Sequence, residues 1–216
     1  MPATIHVVDD DASFRKSIAQ LLQVSGYSVA LYESAEALLR TPPQPRLGCV
    51  LLDIRMPGLS GPELQDRFAQ LDLPLPIIFL TGYGTISTSV RAIKAGAEDF
   101  LTKPIAKDDL LNAVNRAVER SRVLLAKRER ADDLQKHVGM LTPQEHKVFV
   151  LVAQGQINKQ IAFKLGITER TIKAHRRKVM LKLNAQSLVE LVEIAKELGI
   201  LDVRDDDRGE DGNATA

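Results

Sequence analysis

The stretch LGCVLLD occupies residues 47–53, and it is a continuous apolar run that ends in an aspartate. Such a run is typical of a strand that is buried on both faces of a parallel sheet. Four further runs of similar character alternate with amphipathic segments of helical spacing. This βα repetition predicts an α/β doubly wound, five-stranded parallel sheet, whose ligands bind at the carboxyl ends of the strands. The four other runs are IHVVD (5–9), SVALY (28–32), PIIFLT (76–81) and EDFLT (98–102).

The chain has 216 residues, enough for one large or two small domains, and its 44% hydrophobic and 26% charged residues are close to globular averages. No stretch approaches about 18 consecutive apolar residues, and the N-terminus has no basic leader followed by a long apolar segment. Neither a membrane span nor a secretory signal is therefore expected, and the expected compartment is the cytoplasm. Cys49, the single cysteine, is expected to be a small core residue.

Net charge differs between the two halves, although the whole chain carries only +1. Residues 1–120 hold 12 basic and 14 acidic side chains, whereas residues 137–202 hold 10 basic and 6 acidic ones. Because a positive surface attracts a phosphate backbone, this asymmetry favours a C-terminal half that binds nucleic acid. The acidic residues 203–216 contain almost no large apolar side chain and are predicted to be a disordered tail.

The fifth helix of the sheet domain begins near Asp108 and meets neither proline nor glycine before Gly139. Residues 121–137 are therefore predicted to be a helical linker between a first domain at 1–120 and a second domain at 138–202. Apolar residues become sparse along this stretch, so a frayed or flexible junction is the alternative.

The second domain is predicted to be all-helical. Thr142 and Glu145 form a capping box with proline at the first helical position, and residues 187–190 are interpreted as a second box. Between them, residues 158–165 and 168–183 are predicted to form two helices joined by a tight turn at Gly166 and Ile167.

Carboxylates follow two strands of the predicted sheet. Residues 9–11 are three aspartates at the end of the first strand, and Asp53 ends the third. In a parallel sheet these ends can be neighbours, and clustered carboxylates require a cation, for which hard oxygen ligands favour Mg²⁺. Thr81 ends the fourth strand and Lys103 follows the fifth, so a hydroxyl and an ammonium are expected at the same edge.

On these residues the chain resembles the receiver domain of two-component response regulators over about residues 3–120. Four motifs carry the resemblance: VVDDD (7–11), LLDIRMPGLSG (51–61), LTGYG (80–84) and KAGAEDFLTKPI (94–105).

The resemblance implies a metal site for Mg²⁺ or Mn²⁺. By position, Asp53 is the phosphoacceptor and also a metal ligand, Asp10 is a direct ligand, and Asp9 is a ligand or supports one. Arg55 contributes only its backbone carbonyl. A carboxylate can attack a phosphoryl group when the metal offsets the repulsion between the two anions.

The resemblance also implies a switch. Thr81 and Lys103 contact the phosphoryl oxygens, and Phe100 is the aromatic switch residue that follows Thr81 inward. The receiver is expected to catalyse its own aspartyl phosphorylation and slow dephosphorylation, so the protein is not expected to be a dedicated enzyme.

The segment TERTIKAHRRKVMLKL (168–183) contains six lysines or arginines and one glutamate. At about 100° per residue, Ile172, Val179 and Leu183 fall on one side. A helix-turn-helix presents its second helix to the major groove, so the basic side is expected to contact DNA; a solvated charged face is the alternative. That side consists of Arg170, Lys173, Ala174 and Arg177.

This region resembles the LuxR-type DNA-binding domain over about residues 138–200. The resemblance implies that Lys173, Ala174 and Arg177 reach base edges. His175 lies beside the core face of this helix and is expected to pack or bond locally. It also implies that the last helix pairs two DNA-bound subunits, for which Val189 and Val192 are expected to be exposed. The candidate phosphate contacts are Asn158, Arg170, Thr171 and Arg176.

Together the two halves resemble the FixJ-type branch of response regulators. The resemblance implies that a partner sensor histidine kinase phosphorylates Asp53, that the face of the receiver's fourth helix, fifth strand and fifth helix then forms a homodimer, and that promoter DNA is bound. RNA polymerase is expected as a further partner. The alternative is a constitutive DNA-binding protein whose receiver is a phosphate-independent interaction module.

Overall fold

The computed structural model describes residues 2–40, 42–43, 46–71, 73, 75–82 and 96–201. The chain divides between Lys127 and Arg128 into two compact units. The acidic tail at 203–216 and the segment 83–95, in which the fourth receiver helix is expected, lie outside the described residues.

The first unit contains a five-stranded parallel sheet of order β2-β1-β3-β4-β5, which confirms the predicted fold. Each strand lies within one residue of its predicted bounds. The strands are β1 (Thr4–Val8), β2 (Ser28–Tyr32), β3 (Gly48–Asp53), β4 (Ile77–Thr81) and β5 (Asp99–Thr102).

Helices cover both faces of this sheet because side chains alternate along each strand. Ile5, Val7 and Leu51 point into a core beneath α1 and the first half of α4, and Cys49 is buried there as predicted. The side chains that alternate with them point to the opposite face of the sheet and form a second core beneath α2 and α3. The helices described in this unit are α1 (Ala12–Val24), α2 (Ala35–Arg40), α3 (Gly61–Gln70) and the first part of α4 (Lys107–Gly139).

The long helix α4 is the fifth helix of the sequence prediction, and it covers the whole of residues 121–137. From Arg128 onward the helix belongs to the second unit, where Leu134 and Val138 pack against the core of that unit. None of the described helices is long and apolar enough to cross a membrane.

The second unit is helical, as predicted. Gly166 has a φ of +65° at the end of α6, a left-handed conformation that lets the chain turn directly into α7. The helices that the structure describes after α4 are α5 (Pro143–Ala153), α6 (Asn158–Leu165), α7 (Glu169–Lys182) and α8 (Leu188–Glu197).

The two predicted capping boxes differ in the structure. The Thr142 hydroxyl accepts from the Glu145 amide and the Glu145 carboxylate accepts from the Thr142 amide, so the first box is complete. At α8 the Ser187 hydroxyl accepts from the Glu190 amide, but the Glu190 carboxylate reaches one residue further back, to the amide of Gln186. The second box is therefore only half formed, and its prediction was wrong in that detail.

Candidate functional site

Three aspartates meet at the carboxyl edge of the sheet. Val8 pairs with Leu52, so Asp9 follows β1 directly beside Asp53 at the end of β3. Asp9, Asp10 and Asp53 each place one carboxylate oxygen within 4.8 Å of the other two. We call these three residues the carboxylate cluster. Asp9 is fully buried and Asp53 is 7% exposed, whereas Asp10 lies at the surface.

The ammonium of Lys103 enters this cluster. Its Nζ lies 2.5 Å from Asp9 Oδ2 and 3.5 Å from Asp53 Oδ2. The Lys103 amide donates to the Thr81 carbonyl at 2.6 Å, and Thr81 is 2% exposed. The structure therefore brings Asp53, Thr81 and Lys103 to one edge, as their positions after three different strands predict.

Charge balance makes the cluster suitable for a divalent cation. Three carboxylates and one ammonium leave about two negative charges, and hard oxygen donors are the ligands that Mg²⁺ and Mn²⁺ prefer. Burial raises the pKa of Asp53 above its ordinary value, the Lys103 ammonium opposes this shift, and the neighbouring charge of Asp9 adds to it. An added cation would favour the ionised form of Asp53.

Asp11 has a different task from its two neighbours. Its carboxylate caps α1 by accepting from the backbone amides of Ser13 at 2.8 Å and Phe14 at 3.1 Å. These bonds, Phe14 first and Ser13 second, lower the pKa of Asp11. The run of three aspartates therefore supplies two carboxylates to the cluster and one helix cap.

The two remaining receiver candidates lie close to the cluster. The Arg55 side chain is exposed, and its backbone N–H hydrogen bonds to Asp53. Phe100 of β5 is half-buried, lies opposite Phe79 of β4 in the strand pairing, and packs against the core beneath α2 and α3. The metal contact of Arg55 and the switch role of Phe100 stay predictions.

Sequence reasoning missed two residues of α1 that contact this site. Arg15 donates from Nη1 to the Asp9 carbonyl at 2.5 Å, and the Phe14 ring lies against the Lys103 ammonium. Their position in the first turn after the aspartates was the available signal.

In the second unit, α7 has the two faces that its sequence predicts. Ile172, Val179 and Leu183 are each at most 2% exposed. The opposite face is exposed and basic, and we call it the basic face; it consists of Arg170, Lys173, Ala174 and Arg177. Its contact with DNA stays a prediction.

Two of the four candidate phosphate contacts bind each other. Arg176 donates from Nη1 to Asn158 Oδ1 at 2.7 Å and thereby joins α7 to the start of α6. Thr171 donates its amide to the Thr168 hydroxyl, which caps α7. These hydrogen bonds hold side chains that neighbour the basic face in sequence.

A second connection was not predicted from the sequence. Lys182, at the end of α7, donates to Glu145 Oε2 at 2.6 Å and to the Met140 carbonyl at 3.0 Å. This bond from Lys182 is the largest reason why the pKa of Glu145 falls to about 2, and the Thr142 amide adds to it. The basic helix is thus tied at its far end to the start of α5.

The last helix differs in one respect from the prediction. Val189 is 66% exposed as expected, but Val192 is half-buried, because it lies closer to the core face of α8. The exposed apolar neighbour of Val189 is Leu188. On α7, His175 is half-buried, and its buried Nδ1 has no hydrogen-bond partner among the described residues.

Comparison with known families matches each of the two units to a family. The response regulator receiver domain matches residues 5–115, and the luxR family of bacterial regulatory proteins matches residues 139–200. The chain is a response regulator. Its receiver domain carries the carboxylate cluster, and its LuxR-type domain carries the basic face.

Relatives place this response regulator among the FixJ-like transcriptional regulators. It is 41% identical over 198 residues to nodulation protein W of Bradyrhizobium diazoefficiens, covering 92% of this chain and 87% of the relative. It is 39% identical over 192 residues to the transcriptional regulatory protein FixJ of Rhizobium meliloti, covering 89% and 94%.

Two solved structures are similar over nearly the whole response regulator. The response regulator StyR matches with a TM-score of 0.74 at 40% identity, over 91% of this chain and all of that one. Full-length FixJ of B. japonicum matches with a TM-score of 0.55 at 39% identity, over 92% and 98%.

Proposed function

We propose that this regulator accepts a phosphoryl group on Asp53 from a sensor histidine kinase, and that phosphorylation promotes homodimerisation and promoter DNA binding. One observation carries the proposal. The half-buried side chain of Lys103 places its ammonium between Asp9 and Asp53, at the edge where Thr81 also ends its strand. A purely structural role would not require so many charged groups at one point.

The chemistry is an in-line transfer. A carboxylate oxygen of Asp53 attacks phosphorus, a new O–P bond forms, and the bond from phosphorus to the donor's histidine nitrogen breaks. Asp9, Asp10, Asp53 and the Arg55 carbonyl would hold Mg²⁺ or Mn²⁺, which reduces the repulsion between the two anions when it is bound. Lys103 compensates part of the charge that phosphorylation adds, and the Thr81 hydroxyl donates to a phosphoryl oxygen.

The added charge is the signal. Recruitment of Thr81 and Lys103 by the phosphoryl group favours one of two local arrangements, and Phe100 follows Thr81. The surface that includes β5 and α4 then pairs two receivers. Beyond phosphorylation of Asp53 and its slow reversal, we assign no enzymatic turnover to the protein.

We assign DNA binding to α7. Lys173, Ala174 and Arg177 would contact base edges, whereas Arg170 and Thr171 would contact phosphates. Pairing through Val189 of α8 would place two basic faces about one DNA turn apart. RNA polymerase is the expected further partner at the promoter.

The proposal is tested by incubating the protein with Mg²⁺ and acetyl phosphate and recording its intact mass. We expect wild type to gain the mass of one phosphoryl group and Asp53→Asn to gain none. Asp66→Asn, which changes an exposed aspartate of α3, is the matched control and should behave as wild type. Equal modification of wild type and Asp53→Asn would contradict the assignment of Asp53.

A further inference from the structure

The ring of Phe14 is the third neighbour of the Lys103 ammonium. Lys103 Nζ lies over this ring, 4.1 Å from its centroid, while the same nitrogen contacts Asp9 and Asp53. The receiver motifs assign no role to Phe14. Its ring nevertheless touches a group that the proposed phosphoryl transfer uses.

Local structure fixes the ring in this place. Phe14 lies in the first turn of α1, where its amide donates to the Asp11 carboxylate that caps the helix. The half-buried ring also packs against the core beneath α1 and α4. Between the ring and the carboxylates, the Lys103 side chain keeps only 19% of its surface exposed.

An aromatic face attracts a cation because the ring quadrupole is negative above its plane, and the attraction grows as water is excluded. A lysine ammonium on its four-carbon stem is otherwise mobile and strongly hydrated. The geometry points to Phe14 as a positioning residue that holds the Lys103 ammonium at the Asp53 carboxylate and thereby sets the rate of phosphoryl transfer. This inference rests on the proposed phosphorylation of Asp53.

The first test compares rates of phosphorylation by acetyl phosphate in the full-length protein. We expect Phe14→Leu to be about fivefold slower than wild type, which corresponds to about 1 kcal/mol and falls within the range of cation–π attraction. Phe14→Tyr keeps the aromatic face and should retain most of the wild-type rate. Equal rates for Phe14→Leu and wild type would overturn the inference.

A second test separates ring electrostatics from packing. Replacing Phe14 by phenylalanines with one, two and three ring fluorines changes the size of the ring little but weakens the negative potential above it. The logarithm of the rate should fall steadily with each fluorine, and a rate independent of fluorination would overturn the inference. The Phe14→Leu effect should also vanish when Lys103→Met is present, because the effect acts through the ammonium.

A third measurement reads the contact without any phosphoryl transfer. In proton–carbon NMR spectra of the unphosphorylated protein, the Lys103 methylene protons next to Nζ should be shifted upfield by the Phe14 ring and should move downfield in Phe14→Leu. Absence of that shift in wild type overturns the inference while leaving the phosphorylation of Asp53 intact. If the shift is present but acetyl phosphate modifies no protein, the proposed function fails, and with it the claim about rate.

Discussion

The carboxylate cluster and the basic face both concentrate charge, but they do so in opposite surroundings. In the cluster, Asp9 is fully buried and forms an ion pair with Lys103. On the basic face, the charged side chains of Arg170, Lys173 and Arg177 are exposed. We therefore expect that removing one charge from the cluster changes both stability and phosphoryl transfer. Removing one charge from α7 should change DNA binding alone.

The largest effect on stability is expected from Lys103→Met. This change leaves the buried Asp9 carboxylate without its ammonium at 2.5 Å, which should lower the free energy of unfolding by about 3 to 5 kcal/mol. Urea unfolding in the presence of EDTA measures it, since a bound cation would mask the loss.

The matched control is Arg116→Ala. Its ion pair with Asp99 is exposed, with 58% of the arginine side chain accessible, so its removal should change the unfolding free energy by at most about 0.5 kcal/mol. Similar losses for the two variants would break the distinction between buried and exposed charge.

The buried His6 should lower the free energy of unfolding as the pH falls. Desolvation lowers its pKa from 6.5 to about 4, and its Nδ1 lies 3.2 Å from the Tyr32 hydroxyl. The unfolded chain binds the proton more readily, so this contribution is complete above pH 6.5 and is lost as the pH falls towards 4, by about 3 kcal/mol in total.

His6→Leu should remove that part of the pH dependence, which urea unfolding between pH 7 and pH 4 records. His146→Gln, which removes an exposed histidine, is the control. An unchanged pH dependence in His6→Leu would show that other groups cause the acid instability.

On the basic face, Arg177→Ala should cost about 2 kcal/mol in DNA affinity and relax specificity at one base pair. It should leave the unfolding free energy unchanged within about 0.5 kcal/mol. Fluorescence anisotropy with a selected promoter fragment and its single-base variants measures both affinity and specificity.

Lys196→Ala removes an exposed lysine from α8 and serves as the control for charge alone. If Arg177→Ala and Lys196→Ala each lose affinity by the same factor for every DNA sequence, Arg177 contacts phosphate and not a base.

A smaller effect is expected from Val189→Glu. If α8 pairs two DNA-bound subunits, this change should weaken binding to a two-half-site operator about tenfold, or about 1.4 kcal/mol, with no effect on a single half-site. Val24→Glu, at another exposed valine, is the control. Normal binding of Val189→Glu to the full operator would rule out pairing through this helix.

The sequence predicts the sheet well because strands such as 47–53 are apolar on both faces, which leaves few alternative structures. The sequence also predicts that Asp53, Thr81 and Lys103 lie at one edge, since the carboxyl ends of parallel strands share one edge of the sheet.

What it does not resolve is how each polar side chain is used. Asp11 caps a helix while Asp9 meets Lys103, Arg176 turns to Asn158, and Glu190 reaches Gln186. These choices depend on distances of a few ångströms between side chains, which spacing along the chain does not determine.

Whether phosphorylation of Asp53 controls DNA binding can be measured on a single operator. The affinity for a two-half-site operator, selected from random-sequence DNA, is measured for wild type and Asp53→Asn before and after treatment with acetyl phosphate and Mg²⁺. We predict that treatment tightens wild-type binding about tenfold or more and leaves Asp53→Asn unchanged. Equal affinity of phosphorylated and unphosphorylated wild type would contradict the account and favour a constitutive DNA-binding protein whose receiver is an interaction module.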